Sequence, residues 1–339
     1  MIAKKKTNPK RYYRYVAQKD KYCQTKITLQ DEGKIITVEK ECASIFNDFF
    51  SSVFTRDTTN PSIEEDENDI PTIRDLEITE EMVQEEIFKL NVHKSTGPGG
   101  IPPAVLKENV AIFAPILTKI FNLSYEQSYI PKILKSAHVV PLHKAGDKTL
   151  ANNYRPVSLT PVISKLFEHI IKASVDQHVS INNIMSHYQH GFRKSKSTAT
   201  NLLEFWNEVT ENVEKSISMS IFYTDLRKAF DSVSHALLIK KLKRYGIVGK
   251  TIRWIEEFLN NRTQQVIFGG QLSATKDVIS GVPQGAVLSV ILFALYINDL
   301  PETLKKCKIS MYADDTKIFA PITSQDDIAS FQEDINNIV

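Results

Sequence analysis

An α+β fold is predicted by three stretches of this sequence. Lys308-Ile309-Ser310-Met311-Tyr312-Ala313-Asp314-Asp315-Thr316-Lys317-Ile318-Phe319 roughly alternates apolar and polar residues on each side of two adjacent carboxylates, the pattern of a β-hairpin with acids at its turn. Ala137 to Lys144 and Asn153 to Leu159 read as two strands joined by a polar turn through Gly146, Asp147 and Lys148. Val162 to Val179, with Ile163, Leu166, Phe167, Ile170 and Ile171 on one face, carries helical spacing instead, and so does Ser197 to Val213. Hairpins mixed with amphipathic helices define the class.

At 339 residues and 42% hydrophobic content, the chain buries a substantial core as one large domain or two smaller ones. A net charge of +2 provides no global basic field, so any nucleic-acid surface must be local. Cys23, Cys42 and Cys307 lack the paired spacing of a zinc site and are expected as unpaired thiols in a reducing compartment, in the nucleus or cytoplasm. No apolar segment of signal-peptide type follows Lys4-Lys5-Lys6. The uncharged run Val278 to Asn298 is interrupted by Gly281, Pro283, Gln284 and Gly285; what remains is too short to span a bilayer, so no membrane partner is expected.

In chain order, residues 1–26 interleave nine Lys and Arg with Tyr12, Tyr13, Tyr15 and Tyr22, which suits either phosphate contact with base stacking or a solvated terminus. Ile35 to Val38 reads as a strand and Glu39 to Phe54 as a helix; Thr55 to Pro71 is an acidic linker, so residues 1–75 form an extension ahead of a boundary. Thr79 caps a helix bearing Met82, Val83, Ile87 and Leu90. Lys94 to Pro103 is a tight Gly/Pro loop whose backbone amides could approach nucleic-acid phosphates beside Lys94, or which only turns the chain, and two helices follow over 104–134.

Lys144 and Arg155 lie near each other on the second hairpin, where arginine can clamp phosphate oxygens and lysine adds a mobile charge; the bland reading is two surface cations. His187 to Lys196 is a basic loop. No carboxylate or cysteine sits at metal-ligand spacing from His187 and His190, so backbone phosphates are the expected contact of His190, Arg193, Lys194 and Lys196. Ser216 to Asp225 reads as a buried strand ending in an acid, with a helix starting at Leu226. If that strand pairs with the 308–319 hairpin, Asp225 and Asp314 can share two divalent cations, the geometry of two-metal nucleotidyl transfer. Ser280 to Ser289 places Gly281 and Gly285 around Pro283 and Gln284, a loop that approaches a flat partner while Gln284 bonds a sugar or base edge.

The ordered set YRPVSL, QHGFRKSKST, FYTDLRKAFD, SGVPQGAVLS and YADD resembles the reverse transcriptase of non-LTR retrotransposons of the jockey- or RTE-like group, over residues 35–339. The loop GPGGIPP is similar to the family's GPDGIPP, with Gly99 standing where an aspartate is usual. The resemblance implies a right-hand polymerase: a helical extension of the fingers over 76–122 and fingers and palm over 123–339, the palm an antiparallel sheet backed by helices. It implies that Asp225 and Asp314 bind two magnesium ions, with manganese as substitute, and that Asp315 completes the acidic cluster. Arg155 and Lys144 would meet the triphosphate of an incoming dNTP, Gln284 and Gly285 would position template and nucleotide, and Phe230 would stack under the deoxyribose and exclude a 2′-hydroxyl. The plain structural reading makes Phe230 the first core residue of its helix.

The implied partners are an RNA template, a DNA primer and dNTPs. A lysine-bearing palm segment, a primer grip and a thumb are also implied, but residues 320–339 read as one amphipathic helix, so the chain is expected to be C-terminally truncated with its thumb missing. A catalytically silent, element-derived RNA-binding protein and an RNA-dependent RNA polymerase are the competing readings; YADD and Phe230 favour deoxynucleotides over the latter.

Overall fold

The computed structural model describes residues 28–338 except 32, 56–69 and 227; the basic aromatic segment and the acidic linker lie outside the described residues. A small hairpin, β1 (Leu29–Asp31) and β2 (Lys34–Ile36), leads into helix α1 (Glu39–Ser52). Helices α2 (Glu80–Lys89), α3 (Pro103–Glu108), α4 (Val110–Gln127) and α5 (Lys132–Lys135) precede strands β3 (Ser136–His143) and β4 (Tyr154–Leu159). Then come α6 (Val162–Ile181), α7 (Thr198–Glu214), β5 (Ser218–Asp225), α8 (His235–Arg244) and α9 (Gly249–Leu259). Strands β6 (Arg262–Phe268), β7 (Gln271–Leu272) and β8 (Lys276–Val278), helix α10 (Ser289–Tyr296), strands β9 (Lys308–Tyr312) and β10 (Asp315–Ile322), and helix α11 (Gln325–Ile338) complete the described chain.

Two sheets organise these elements. In the first, β4 pairs antiparallel with β3, and β3 pairs parallel with β6, from Ser136↔Thr263 to Val139↔Val266; β7 and β8 both pair with β6. The second has the order β5-β10-β9 and is antiparallel throughout. The main core is helical: Phe121 stacks on Phe167 at 4.4 Å, Phe167 meets Trp254 at 4.5 Å, and all three are buried. Each such aromatic contributes roughly 2–3 kcal/mol by leaving water. A second cluster joins Leu29, Cys42, Ala43, Phe46 and Phe50 to Val139, Tyr154 and Val266, so α1 packs directly on the first sheet. Asn47 fixes its position: its buried amide donates to the carbonyl of Ala274 at 2.8 Å and accepts from Gln264 at 3.1 Å.

Local pattern and structure part at two places. The helix expected from Leu226 does not form there; Lys228 has φ +54°, residues 228–232 turn, and α8 starts only after Ser234, whose hydroxyl accepts from Leu237 N at 3.1 Å. The carbonyls a helix would consume serve distant partners instead, Phe230 O accepting from Val282 N at 2.7 Å and Asp231 O from Ser280 Oγ at 2.8 Å. At the other place, β10 continues to Ile322 because its pairing with β5 runs on to Ser218. Helix α11 then starts where Ser324 Oγ accepts from Asp327 N at 3.3 Å and Asp327 Oδ2 from Ser324 N at 2.9 Å. Among the described residues no helix is long and apolar enough to cross a membrane.

Candidate active site

The second sheet sets the geometry of the acids. β10 lies antiparallel to β5 with Asp315 directly across from the backbone of Asp225, and Asp315 also pairs with Tyr312. Ala313 and Asp314 are therefore the two turn residues between β9 and β10. Ala313 has φ +56°, a position glycine usually takes, so a left-handed alanine must be held there from outside.

The QHGFR stretch holds it. Gln189 is fully buried, and its Oε1 accepts from Ala313 N at 3.0 Å and from Gly191 N at 2.7 Å. His190 N donates to Met311 O at 2.9 Å, and Met311 N donates to Tyr188 O at 3.0 Å. A Cβ on Gly191 would lie 2.3 Å from Ala313 N, so only glycine fits against the turn. This corrects one expectation. His190 is buried, with Nδ1 at 2.9 Å from Thr200 Oγ1 and Nε2 at 2.9 Å from Glu204; burial pulls its pKa down despite the acid. A ring so engaged braces the turn and cannot reach a nucleic-acid backbone. Arg193 donates to the carbonyls of Ser186 and Gln189, at 2.8 and 3.4 Å, and Lys196 is paired with Glu204 at 2.7 Å. Lys94 and Lys194 are exposed.

The loop 280–289 is fastened from three sides. Gln284 O accepts from Ser158 N at 2.7 Å, and a Cβ on Gly285, at φ +123°, would lie 2.5 Å from Ser158 O, so the loop lies against the backbone of β4. Gln284 Nε2 donates to Asp231 Oδ2 at 2.8 Å. Beneath the start of α10, the fully buried Glu168 of α6 accepts from Val287 N at 2.7 Å, Leu288 N at 3.2 Å and Ser164 Oγ at 3.1 Å. Burial pushes its pKa up, and the charge of the equally buried Arg262, itself brought down to about 10 by burial, works against that.

These parts enclose one cleft of about 310 Å³, lined by Lys144, Arg155, Phe230, Gln284 and Asp314, and also by Phe49, Phe50, Lys228 and Asp231. Phe230 is rigid, stacked on the buried Phe293 at 4.3 Å and 20°. Asp315 faces a different opening, with Tyr312, Tyr223 and Lys317. Among the described residues no three His, Cys, Asp or Glu side chains converge on one point, and the side chain of Asp225 is outside that set. What suits a divalent cation is the donor chemistry: hard carboxylate oxygens at one end of a sheet, with Asp314 lining a cleft that Lys144 and Arg155 also line.

Sequence reasoning missed Asp231, Gln189 and Glu168, whose side chains fasten the loop and the turn of this site. Glu168 alone left a signal, an acid on the inward stripe that continues through Ile171 and Val175.

The sequence profile of the family described as reverse transcriptase (RNA-dependent DNA polymerase) matches residues 142–338, and the chain belongs to that family. Its kin within it are polymerases of non-LTR retrotransposons. The chain is 30% identical over 252 residues to the RNA-directed DNA polymerase from mobile element jockey of Drosophila melanogaster, covering 71% of this chain and 27% of that protein. It is 29% identical over 238 residues to the probable RNA-directed DNA polymerase from transposon X-element of the same fly, covering 69% and 26%. Identity to the Pol polyprotein of its type-2 retrotransposable element R2DM is 26% over 242 residues, covering 68% and 22%. The chain thus spans about a quarter of the length of these relatives.

Proposed function

We propose that this chain carries the nucleotidyl-transfer site of a non-LTR retrotransposon reverse transcriptase, which adds dNTPs to a primer 3′-hydroxyl on an RNA template. The first sheet corresponds to the fingers of a right-hand polymerase and the second to its palm. One observation carries this reading: a single cleft gathers cations from the first sheet, Lys144 and Arg155, an acid from the second, Asp314, and Gln284 and Phe230 between them.

Asp225 and Asp314 would hold two magnesium ions, with manganese as substitute, while Asp315, which faces the neighbouring opening, would add supporting charge. When bound, such ions activate the attacking hydroxyl and neutralise charge on the leaving pyrophosphate. The protein's own groups do the rest. Arg155 grips phosphate oxygens through its planar fork, and Lys144 adds a point charge. Gln284, its amide held by Asp231, presents its end of the loop to the base or sugar. Phe230, pinned by Phe293, leaves no room for a 2′-oxygen.

The test is single-nucleotide extension with Phe230→Ala. Ribonucleotide incorporation relative to deoxynucleotide is expected to rise by at least about tenfold, the ratio a few contacts in a shaped pocket control. An unchanged ratio removes the sugar from this cleft.

A further inference from the structure

The 186–196 loop braces the Ala313 turn, but one of its side chains takes no part in that. Phe192 has φ +61°, a region that a bulky residue enters only under strain, and its ring is 48% exposed. Both of its neighbours impose this conformation. Gly191 lies so close to Ala313 that a Cβ would meet its N at 2.3 Å, and Arg193 Nη1 donates to the carbonyls of Ser186 and Gln189 at 2.8 and 3.4 Å. A strained aromatic held out in solvent is placed for a ligand rather than for the core. Phe192 also joins two openings. It stands at 88° to Phe230 of the nucleotide cleft, with centroids 6.5 Å apart, and it lines a second groove of about 270 Å³ together with Lys194, Ser180, Asn183 and Ile291.

This second groove has the chemistry of a single nucleic-acid strand. A half-exposed ring offers a face on which any base stacks, and Ser180 and Asn183 add hydrogen-bonding groups. Lys194 is exposed, has no ion-pair partner among the described residues, and can meet a phosphate. Asp176, a carboxylate that also lines the groove, is paired with Lys172. Resting on the polymerase reading, we propose that the groove seats the RNA template ahead of the nucleotide being copied: Phe192 stacks on an unpaired template base and Lys194 holds an adjacent phosphate. The primer ends at the acids, so the strand that runs on unpaired past the sugar on Phe230 is the template.

The test is equilibrium binding of the full chain to an RNA template annealed to a DNA primer, followed by fluorescence anisotropy over a range of salt concentrations. Phe192→Ala is expected to weaken binding about tenfold, and Phe192→Tyr, which keeps a stacking face, to recover most of it. Lys194→Gln lowers the slope of log K against log salt by about one, the change that loss of one phosphate contact produces. An abasic site scanned through the unpaired template weakens wild-type binding about tenfold at one position and leaves Phe192→Ala unaffected there, a coupling that a purely structural role of the ring would not give. Melting curves check that each variant folds, and the exposed Lys194 keeps the test open if Phe192→Ala does not. Wild-type affinity in Phe192→Ala with a wild-type salt slope in Lys194→Gln, or an abasic scan that affects both proteins alike, overturns the inference, while primer extension by the wild type leaves the polymerase reading standing. A wild type that neither binds nor extends the template–primer defeats the two together.

Discussion

Asp231 carries the sharpest electrostatic tension in the cleft. Burial raises its pKa from 3.8 to about 6, opposed by the bond from Gln284 and the charge of Lys228. Between those two values the folded chain holds a proton that the unfolded chain has released, so this residue's contribution to stability falls as pH rises through that window. The shift corresponds to on the order of 3 kcal/mol. In chelator-containing buffer, urea titrations from pH 4 to 6.5 should show wild type losing about that much relative to Asp231→Asn; parallel pH profiles would refute the assignment. The sequence offered Asp231 only as the end of FYTDLRKAFD, because its role depends on a contact with Gln284 across 53 positions. Lys144, Arg155, Gln284 and Asp314, which line one cleft, were legible because each sits where a strand end, turn or loop announces itself locally, whereas Phe230 was pointed to by the family resemblance alone. A role set by long-range contacts, such as that of Gln189 at the Ala313 turn, was not.

At the scale of elements, buried side chains of one loop and one helix brace the site. The 186–196 loop holds the Ala313-Asp314 turn, and α6 holds the start of α10 through Glu168. Removing that carboxylate leaves two backbone N–H groups without an acceptor and Arg262 without its opposing charge. Glu168→Ala should therefore destabilise the chain by about 3–5 kcal/mol in urea unfolding. A loss below about 1 kcal/mol would mean that the carboxylate does not hold α10. Both hairpins and the helices α1, α2, α6 and α7 were readable from periodicity, since they bury one face each. The turn at 228–232 was not, because tertiary bonds from Ser280 and Val282 override its local helical pattern.

At the scale of the whole molecule, the architecture depends on pairings between distant segments. β6 completes the first sheet parallel to β3, and β10 returns to β5 to bring Asp315 across from Asp225. The second pairing was expected from the acids; the first, made by a stretch between the two halves of the site, left no pattern that pointed to its partner. Together these pairings bring Lys144, Arg155 and Asp314 to one cleft, and the central claim is that this cleft copies RNA into DNA. The most direct measurement is extension of a DNA primer on an RNA template with dNTPs and Mg²⁺. The wild-type chain should extend the primer, and Asp314→Ala should reduce the rate by at least about a thousandfold. No extension by the wild type, together with salt-sensitive RNA binding, would contradict the claim and leave a silent RNA-binding protein in its place.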